Sequence, residues 1–218
     1  MGRGSASSLT SPVLGRHNPD GSLDYFHQGV HIQILPDPDP MDPRDADNPS
    51  TFYCWHPDYQ LGDKQFSQGD YESMEAVFEE LRDQEQALAI TPLFLYDHSG
   101  LSISSGQTWH PGDHAPGLSA QGHNPFDAQG WDTTMIGFAY NTKAQLEAFG
   151  NDSESEDLTK HLEAEIDSYN DYLSGNCWGF IVAGETDDED SCWGFLGDIE
   201  YCKSEAEAIA GGIAVASE

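Results

Sequence analysis

The run Asp97-His98-Ser99 contains the three side-chain types of a nucleophilic catalytic triad and follows an apolar segment. In such a triad the acid orients the histidine, which takes a proton from the serine hydroxyl. Adjacent residues at the end of a strand point to opposite faces, so these three cannot form that relay with one another. The sequence also lacks a Gly-x-Ser-x-Gly elbow. The run therefore predicts a polar turn, in which Asp97 and Ser99 bond to the backbone.

A second concentration of reactive side chains is the histidine-rich segment 105–130. It contains His110, His114 and His123, and imidazole is a common ligand of Zn²⁺. The first two are four residues apart, but Pro111 between them disfavours the helix that would put both on one face. The three histidines are therefore weak metal-ligand candidates. We predict a solvated loop, and no metal or other cofactor for the chain.

Trp131 and Asp132, together with Asp97 and His98, are candidates for lining a pocket. The aromatic residues of two similar runs, Cys-Trp-Gly-Phe at 177–180 and 192–195, are further candidates. Large aromatic side chains at alternating strand positions belong more often to the core. The sequence leaves both interpretations open.

The four cysteines, Cys54, Cys177, Cys192 and Cys202, lack the paired spacing of zinc-binding cysteines. Three of them precede tryptophan within apolar runs, a context typical of small buried residues. With no apolar signal segment in residues 1–20, an intracellular location is expected, where disulfides are rare. We predict buried free thiols.

The balance of charge is extreme: 39 Asp and Glu stand against 8 Lys and Arg, which gives a net charge of −31. One interpretation is adaptation to molar salt, where the screening length falls to about 3 Å and self-repulsion is weak. The other is a functional acidic surface that imitates the phosphates of a nucleic acid. Under either interpretation, direct binding to nucleic acid or to an anionic membrane is disfavoured.

Much of the acid lies on two segments with helical spacing of apolar residues, 70–88 and 153–173. Asp70 is a candidate N-cap for the first helix and Gly175 follows the second. The polar faces of these helices are the candidate partner-binding surface. Its residues are Glu72, Glu75, Glu79, Glu80, Asp83, Glu154, Glu156, Asp157, Glu163, Asp167 and Asp171.

Short apolar runs bounded by Gly, Ser and Asp predict strands between these helices, with the centre of a sheet in 89–141. The two Cys-Trp-Gly-Phe runs predict an antiparallel hairpin, and Ser204 predicts the start of a short terminal helix. The Pro- and Asp-rich run 36–47 predicts a solvated loop. The expected fold is α+β, with a mostly antiparallel sheet and two main amphipathic helices on one face. We expect a flexible tail at 1–25, then a single domain at 26–218 that contains the long 105–130 loop.

Several runs also resemble a family of uncharacterised proteins carried by phages, plasmids and integrative elements of Gram-positive bacteria. The resemblance spans about 52–210 and lies in Pro92–Gly100, Trp131-Asp132, Gly137–Tyr140, Glu165–Gly175 and Asp190–Phe195. It implies a gene of a virus or plasmid, here from a salt-loving host. The family has no established activity to carry over.

These features favour a non-enzymatic accessory protein in the cytoplasm of the host cell. It would bind a host or viral protein, as a nucleic-acid mimic that counters restriction or another host defence. Two alternatives stay open. One is a structural part of a virion from a halophilic host. The other is a metal-binding enzyme that uses Asp97, His98 and the histidines of 110–123.

Overall fold

A computed structural model describes residues 16–67, 69–105, 132–151, 157–184 and 189–216. It has the α+β fold with mostly antiparallel pairing that the sequence predicted, but with two sheets instead of one. The predicted loop at 105–130 lies almost entirely outside the described residues. In chain order the elements are β1 (Arg16–His17), β2 (Leu23–His27), β3 (Val30–Pro36), β4 (Thr51–Cys54), β5 (Lys64–Gln65), α1 (Met74–Asp83), β6 (Ala89–Asp97), β7 (Leu101–Ser105), β8 (Thr133–Asn141), α2 (Lys143–Ala148), α3 (Leu158–Leu173), β9 (Cys177–Ala183), β10 (Glu189–Leu196) and α4 (Ile199–Ala216).

The chain groups into two compact units, residues 1–40 with 177–218 and residues 41–176. The sequence-based boundaries, a tail at 1–25 and one domain at 26–218, stay predictions. Within the expected tail, residues 16–17 and 23–25 belong to β1 and β2.

The first unit contains an antiparallel sheet in the order β1-β2-β3-β9-β10. Its core forms because apolar residues alternate along β3, which buries Ile32 and Ile34 beneath α4. From the helix, Cys202, Ala206 and Ala210 pack against these side chains. Strands β9 and β10 pair antiparallel and confirm the predicted hairpin.

The second unit contains the other sheet, in the order β5-β4-β8-β6-β7, in which only β4 and β5 pair in parallel. Helix α1 places Val77 and Leu81 against Phe94 and Phe138 on one face of this sheet. Helix α3 places three buried residues, Leu162, Ile166 and Tyr169, against the other face. The expectation that both helices cover one face is therefore wrong. Because β6 and β8 are apolar on both faces, each face needs its own helix.

Two helix starts also differ from the predicted ones. Helix α1 begins after Ser73, whose hydroxyl accepts the N–H of Ala76 at 3.3 Å. Asp70 instead accepts the N–H of Ser67 at 2.7 Å, within a turn. Helix α4 begins at Ile199, so Ser204 lies inside it. Ser, Asp and Thr bond to nearby backbone in turns as readily as at helix starts, and local sequence does not separate the two.

In the described part of the chain, no helix combines the length and the apolar character that crossing a membrane requires.

Candidate functional site

Three of the four predicted pocket residues come together where β6 ends and β8 begins. Antiparallel pairing sets Tyr96 opposite Thr133, so the residues that follow and precede them are neighbours. The N–H of Asp97 donates to the carbonyl of Asp132 at 3.0 Å. The Nδ1 atom of His98 lies 3.4 Å from an Asp132 carboxylate oxygen. The fourth predicted residue, Trp131, lies outside the described residues.

Asp97 and His98 have different partners. The carboxylate of Asp97 accepts a hydrogen bond of 3.1 Å from the hydroxyl of Tyr59, whereas His98 contacts Asp132. Ser99 occupies the turn with a positive φ of 70°. The side chains of His98 and Asp132 are 65% and 44% exposed, so water screens their interaction. The three residues lie in a polar turn, but the carboxylate of Asp97 bonds to Tyr59 instead of to the backbone as predicted.

Tyr59 connects this turn to a neighbouring loop that the sequence analysis did not single out. Its ring stacks on that of His56, with the ring centroids 4.9 Å apart. The hydrogen bond to Asp97, and less so the negative charge of that carboxylate, raises the pKa of Tyr59 above its ordinary value. The hydroxyl thus stays protonated and donates to Asp97.

The loop after β4 lines an open cavity of about 410 Å³, which we call the β4-loop pocket. Trp55 packs in the core cluster beneath α1, whereas Tyr59 packs against the cluster beneath α3. The loop therefore passes around the end of β4 from one face of the sheet to the other, and the pocket lies in this bend. Its lining residues are Trp55, His56, Pro57, Asp58, Tyr59, Gln60, Gln65, Phe66 and Ser67.

The apolar wall of the β4-loop pocket is tied to helix α1 through a chain of aromatic residues. Phe66 packs on Tyr53 and Tyr71, at centroid distances of 4.9 and 5.5 Å. The hydroxyl of Tyr71 lies 3.2 Å from that of Tyr53 and donates to Glu80 at 2.8 Å. Burial, together with these hydrogen bonds, raises the pKa of Tyr71. A carboxylate of the acidic surface is thus fixed to the wall of the pocket.

The candidate acidic residues divide between two sides of the second unit. Glu79, Glu80 and Asp83 are exposed on α1, whereas Glu163 and Asp167 are exposed on α3. Because α1 and α3 cover opposite faces of the sheet, these residues do not form one continuous surface. The other predicted members are Glu72, exposed just before α1; Glu75, half-buried on α1; Asp157, exposed at the start of α3; Asp171, half-buried on α3; and Glu154 and Glu156, outside the described residues.

Two of these acids have cationic neighbours on the same helix. Asp83 is 2.7 Å from Arg82, and Asp157 is 2.6 Å from Lys160. Hydrogen bonds from these neighbours lower the pKa of both carboxyl groups. Both pairs are exposed, so they adjust local charge more than they stabilise the fold.

A buried ionic cluster around Arg44, here called the Arg44 cluster, lies on the α3 side of the second unit. The guanidinium donates to Asp63 through Nε at 3.1 Å and through a terminal nitrogen at 2.6 Å. It also donates to Glu165 at 2.8 Å and to the carbonyl of Ser50 at 3.0 Å. Its carbon atom lies 3.9 Å from the centre of the Phe52 ring.

Burial opposes the charge of Arg44, but the hydrogen bonds to Asp63 and Glu165 outweigh it and raise its pKa. Each carboxylate also accepts a second donor: Asp63 accepts the N–H of Phe52, and Glu165 accepts the hydroxyl of Ser50. The cluster therefore joins the loop before β4 to helix α3. The prediction of a solvated loop at 36–47 misses this contact. Arg44 is buried because distant carboxylates satisfy it.

The residues that the structure describes contain no group of three or more His, Cys, Asp or Glu side chains close enough to hold a metal ion. The weak metal-ligand candidates His110, His114 and His123 lie outside these residues. Of the four cysteines, Cys54, Cys177 and Cys202 are buried as predicted, whereas Cys192 is exposed on the edge strand β10.

No protein-family model, curated protein or solved structure matches this chain. The resemblance to proteins of phages and plasmids stays an expectation, and the case for function comes from the charges and geometry of this chain.

Proposed function

We propose that this chain is a non-enzymatic accessory protein of a virus or plasmid, which binds a basic protein partner in the cytoplasm of the host cell. The binding surface is the α1 side of the second unit, and its carboxylates stand in for nucleic-acid phosphates, as in a protein that counters restriction. The observation that carries this proposal is the link from Glu80 through Tyr71 to Phe66. It joins an acidic helix face to an aromatic pocket wall.

A protein interface needs apolar anchors as well as charge. Charge steers the encounter and selects the partner, whereas buried aromatic contacts hold the complex together. On the α1 side, Glu75 and Glu79 are one helical turn apart, so their carboxylates recur about every 6 Å along the helix. The aromatic wall lies beside them. The α3 side carries a comparable charge, but the pocket wall of Phe66 and Trp55 belongs to the other face.

The test uses two matched double variants. One is Glu75→Gln with Glu79→Gln on α1, and the other is Glu163→Gln with Asp167→Asn on α3. Each variant removes two charges that are four residues apart on a helix. Affinity capture is performed from a lysate of the organism that carries the gene, at the salt concentration of its growth. We expect a basic protein to be captured by the wild type and by the α3 variant, and to be lost with the α1 variant.

Three results of the capture experiment would contradict the proposal. Equal capture by all three proteins would show that the α1 carboxylates do not form the interface. Equal loss in both variants would point to net charge instead of a defined surface. Capture of no basic protein by the wild type would contradict the proposal outright.

A second candidate is a metal-binding enzyme, which the contact between His98 and Asp132 favours. In that role Asp132 would orient the imidazole as a general base, and the 110–123 histidines would hold the metal. Elemental analysis of the purified protein tests it. A stoichiometric metal that is lost when His110 and His114 are both replaced by alanine would support the enzyme, whereas the absence of a stoichiometric metal would remove this candidate.

A further inference from the structure

We propose that the β4-loop pocket binds the side chain of an arginine that the partner inserts. The inference rests on the proposed function for its natural ligand, a basic protein. It names the residue type that anchors that protein and the pocket that receives it.

The pocket is large enough for one long side chain. Its volume of about 410 Å³ is in the lower part of the range of roughly 300–1,000 Å³ found for small-molecule sites. A guanidinium on its three-carbon stem is long enough to enter while the peptide backbone remains at the surface. The apolar stem then lies along the ring of Phe66, which is buried.

The lining offers flat aromatic faces. Trp55, His56, Tyr59 and Phe66 are all in the wall, and His56 and Tyr59 are already stacked on each other. A guanidinium is planar and weakly hydrated, so it stacks on such faces more readily than an ammonium. The same chain uses this contact internally, with Arg44 placed 3.9 Å from the centre of the Phe52 ring.

The charge of the lining selects a cation. Asp58 contributes a carboxylate, and the lining residues include no Lys or Arg. Because the hydroxyl of Tyr59 donates to Asp97, its oxygen is left as an acceptor for an N–H group. An anionic ligand would face the Asp58 carboxylate without a Lys or Arg in the lining to offset its charge.

The test is an NMR titration of the ¹⁵N-labelled full chain with the peptide acetyl-Gly-Arg-Gly-amide, at a salt concentration where circular dichroism shows it folded. The control peptide contains citrulline, which keeps the shape of arginine and removes its charge. We expect the arginine peptide to shift the backbone and indole resonances of residues 55–67. The citrulline peptide should bind at least about fivefold more weakly.

Two variants locate the contacts. Asp58→Asn removes the lining carboxylate and should weaken the binding of the arginine peptide about three- to fivefold, without affecting the binding of the citrulline peptide. Tyr59→Phe keeps the stacked ring and removes the acceptor oxygen, and should weaken binding by a similar factor of about three. Asp167→Asn on α3 removes one exposed charge outside the pocket lining and should leave binding unchanged.

Three outcomes would overturn the inference. They are equal binding of both peptides, shifts spread over the acidic helices that Asp58→Asn does not alter, and no shift of residues 55–67 by the arginine peptide. If one of these occurs while the α1 variant still loses the partner, the pocket inference alone fails. If arginine binds as expected but partner capture does not depend on α1, the proposed function fails and the pocket remains a cation site.

Discussion

Replacing Arg44 by methionine would test whether the Arg44 cluster holds the second unit together. Methionine retains most of the apolar stem but removes the donors that serve Asp63, Glu165 and the Ser50 carbonyl. Removing one partner of a buried ion pair typically costs about 3–5 kcal/mol, because the remaining charge is left uncompensated. The Arg44 side chain is 4% exposed, so this range applies to the site.

The structure places the expected cost at the lower end of that range. The side chains of Asp63 and Glu165 are 22% and 18% exposed, so water reaches them when the guanidinium is gone. Asp63 also keeps the N–H of Phe52 as a donor, and Glu165 keeps the hydroxyl of Ser50. We therefore expect a loss of about 3 kcal/mol in the free energy of unfolding. For a chain of this size that lowers the melting temperature by about 6–12 °C.

The assay is urea unfolding followed by circular dichroism and tryptophan fluorescence. Arg82→Met is the matched control, because it removes the same side chain from an exposed pair with Asp83 and should have no measurable effect. The triple variant Arg44→Met, Asp63→Asn and Glu165→Gln should recover most of the stability, since no buried charge is left. If Arg44→Met is as stable as Arg82→Met, or if the triple variant is less stable than Arg44→Met, the reasoning is refuted.

Three further predictions concern stability and reactivity. Five tyrosines have a raised pKa, namely Tyr25, Tyr59, Tyr71, Tyr140 and Tyr169. In each of them, folding favours the protonated hydroxyl. Their contribution to stability is therefore complete below pH 10 and is lost as pH rises through the raised values. We expect the circular dichroism signal to be lost as the pH rises above 10, and a signal that stays unchanged while tyrosinate absorbance at 295 nm rises to completion would contradict this. Gly137 sits in β8 with a φ of 148°, and an added Cβ would meet the backbone carbonyl of Tyr53. Gly137→Ala should therefore destabilise by on the order of 3 kcal/mol in urea unfolding, whereas Gly212→Ala, in α4 with open space around it, should stabilise by about 0.5–1 kcal/mol; equal effects would refute the argument. Because Cys192 alone among the four cysteines is exposed, a thiol reagent should modify one group per native chain and all four in denaturant, and two rapidly modified thiols would be inconsistent with this burial.

The candidate site was only partly visible in the sequence. Asp97, His98 and Asp132 were identified because polar residues at the ends of apolar runs stand out, and the structure brings them together. Tyr59 was missed, since nothing local relates it to Asp97, 38 positions away. A signal was present in the density of aromatic residues between Tyr53 and Phe66. These aromatic residues line a pocket only because the loop bends around the end of β4, and that bend is a tertiary feature.

The sequence alone determined the α+β class, most of the strands and the apolar faces of the helices, because hydrophobic periodicity of 2 or 3.6 residues is a local property. The apolar alternation of β3 and the hairpin of β9 and β10 are examples. Only the tertiary structure decided that α1 and α3 lie on opposite faces of one sheet, and that Arg44 is buried among Asp63 and Glu165. Those outcomes depend on which surfaces meet between separate parts of the chain, from the 19 positions between Arg44 and Asp63 to the 121 between Arg44 and Glu165. Local periodicity carries no information about such pairings.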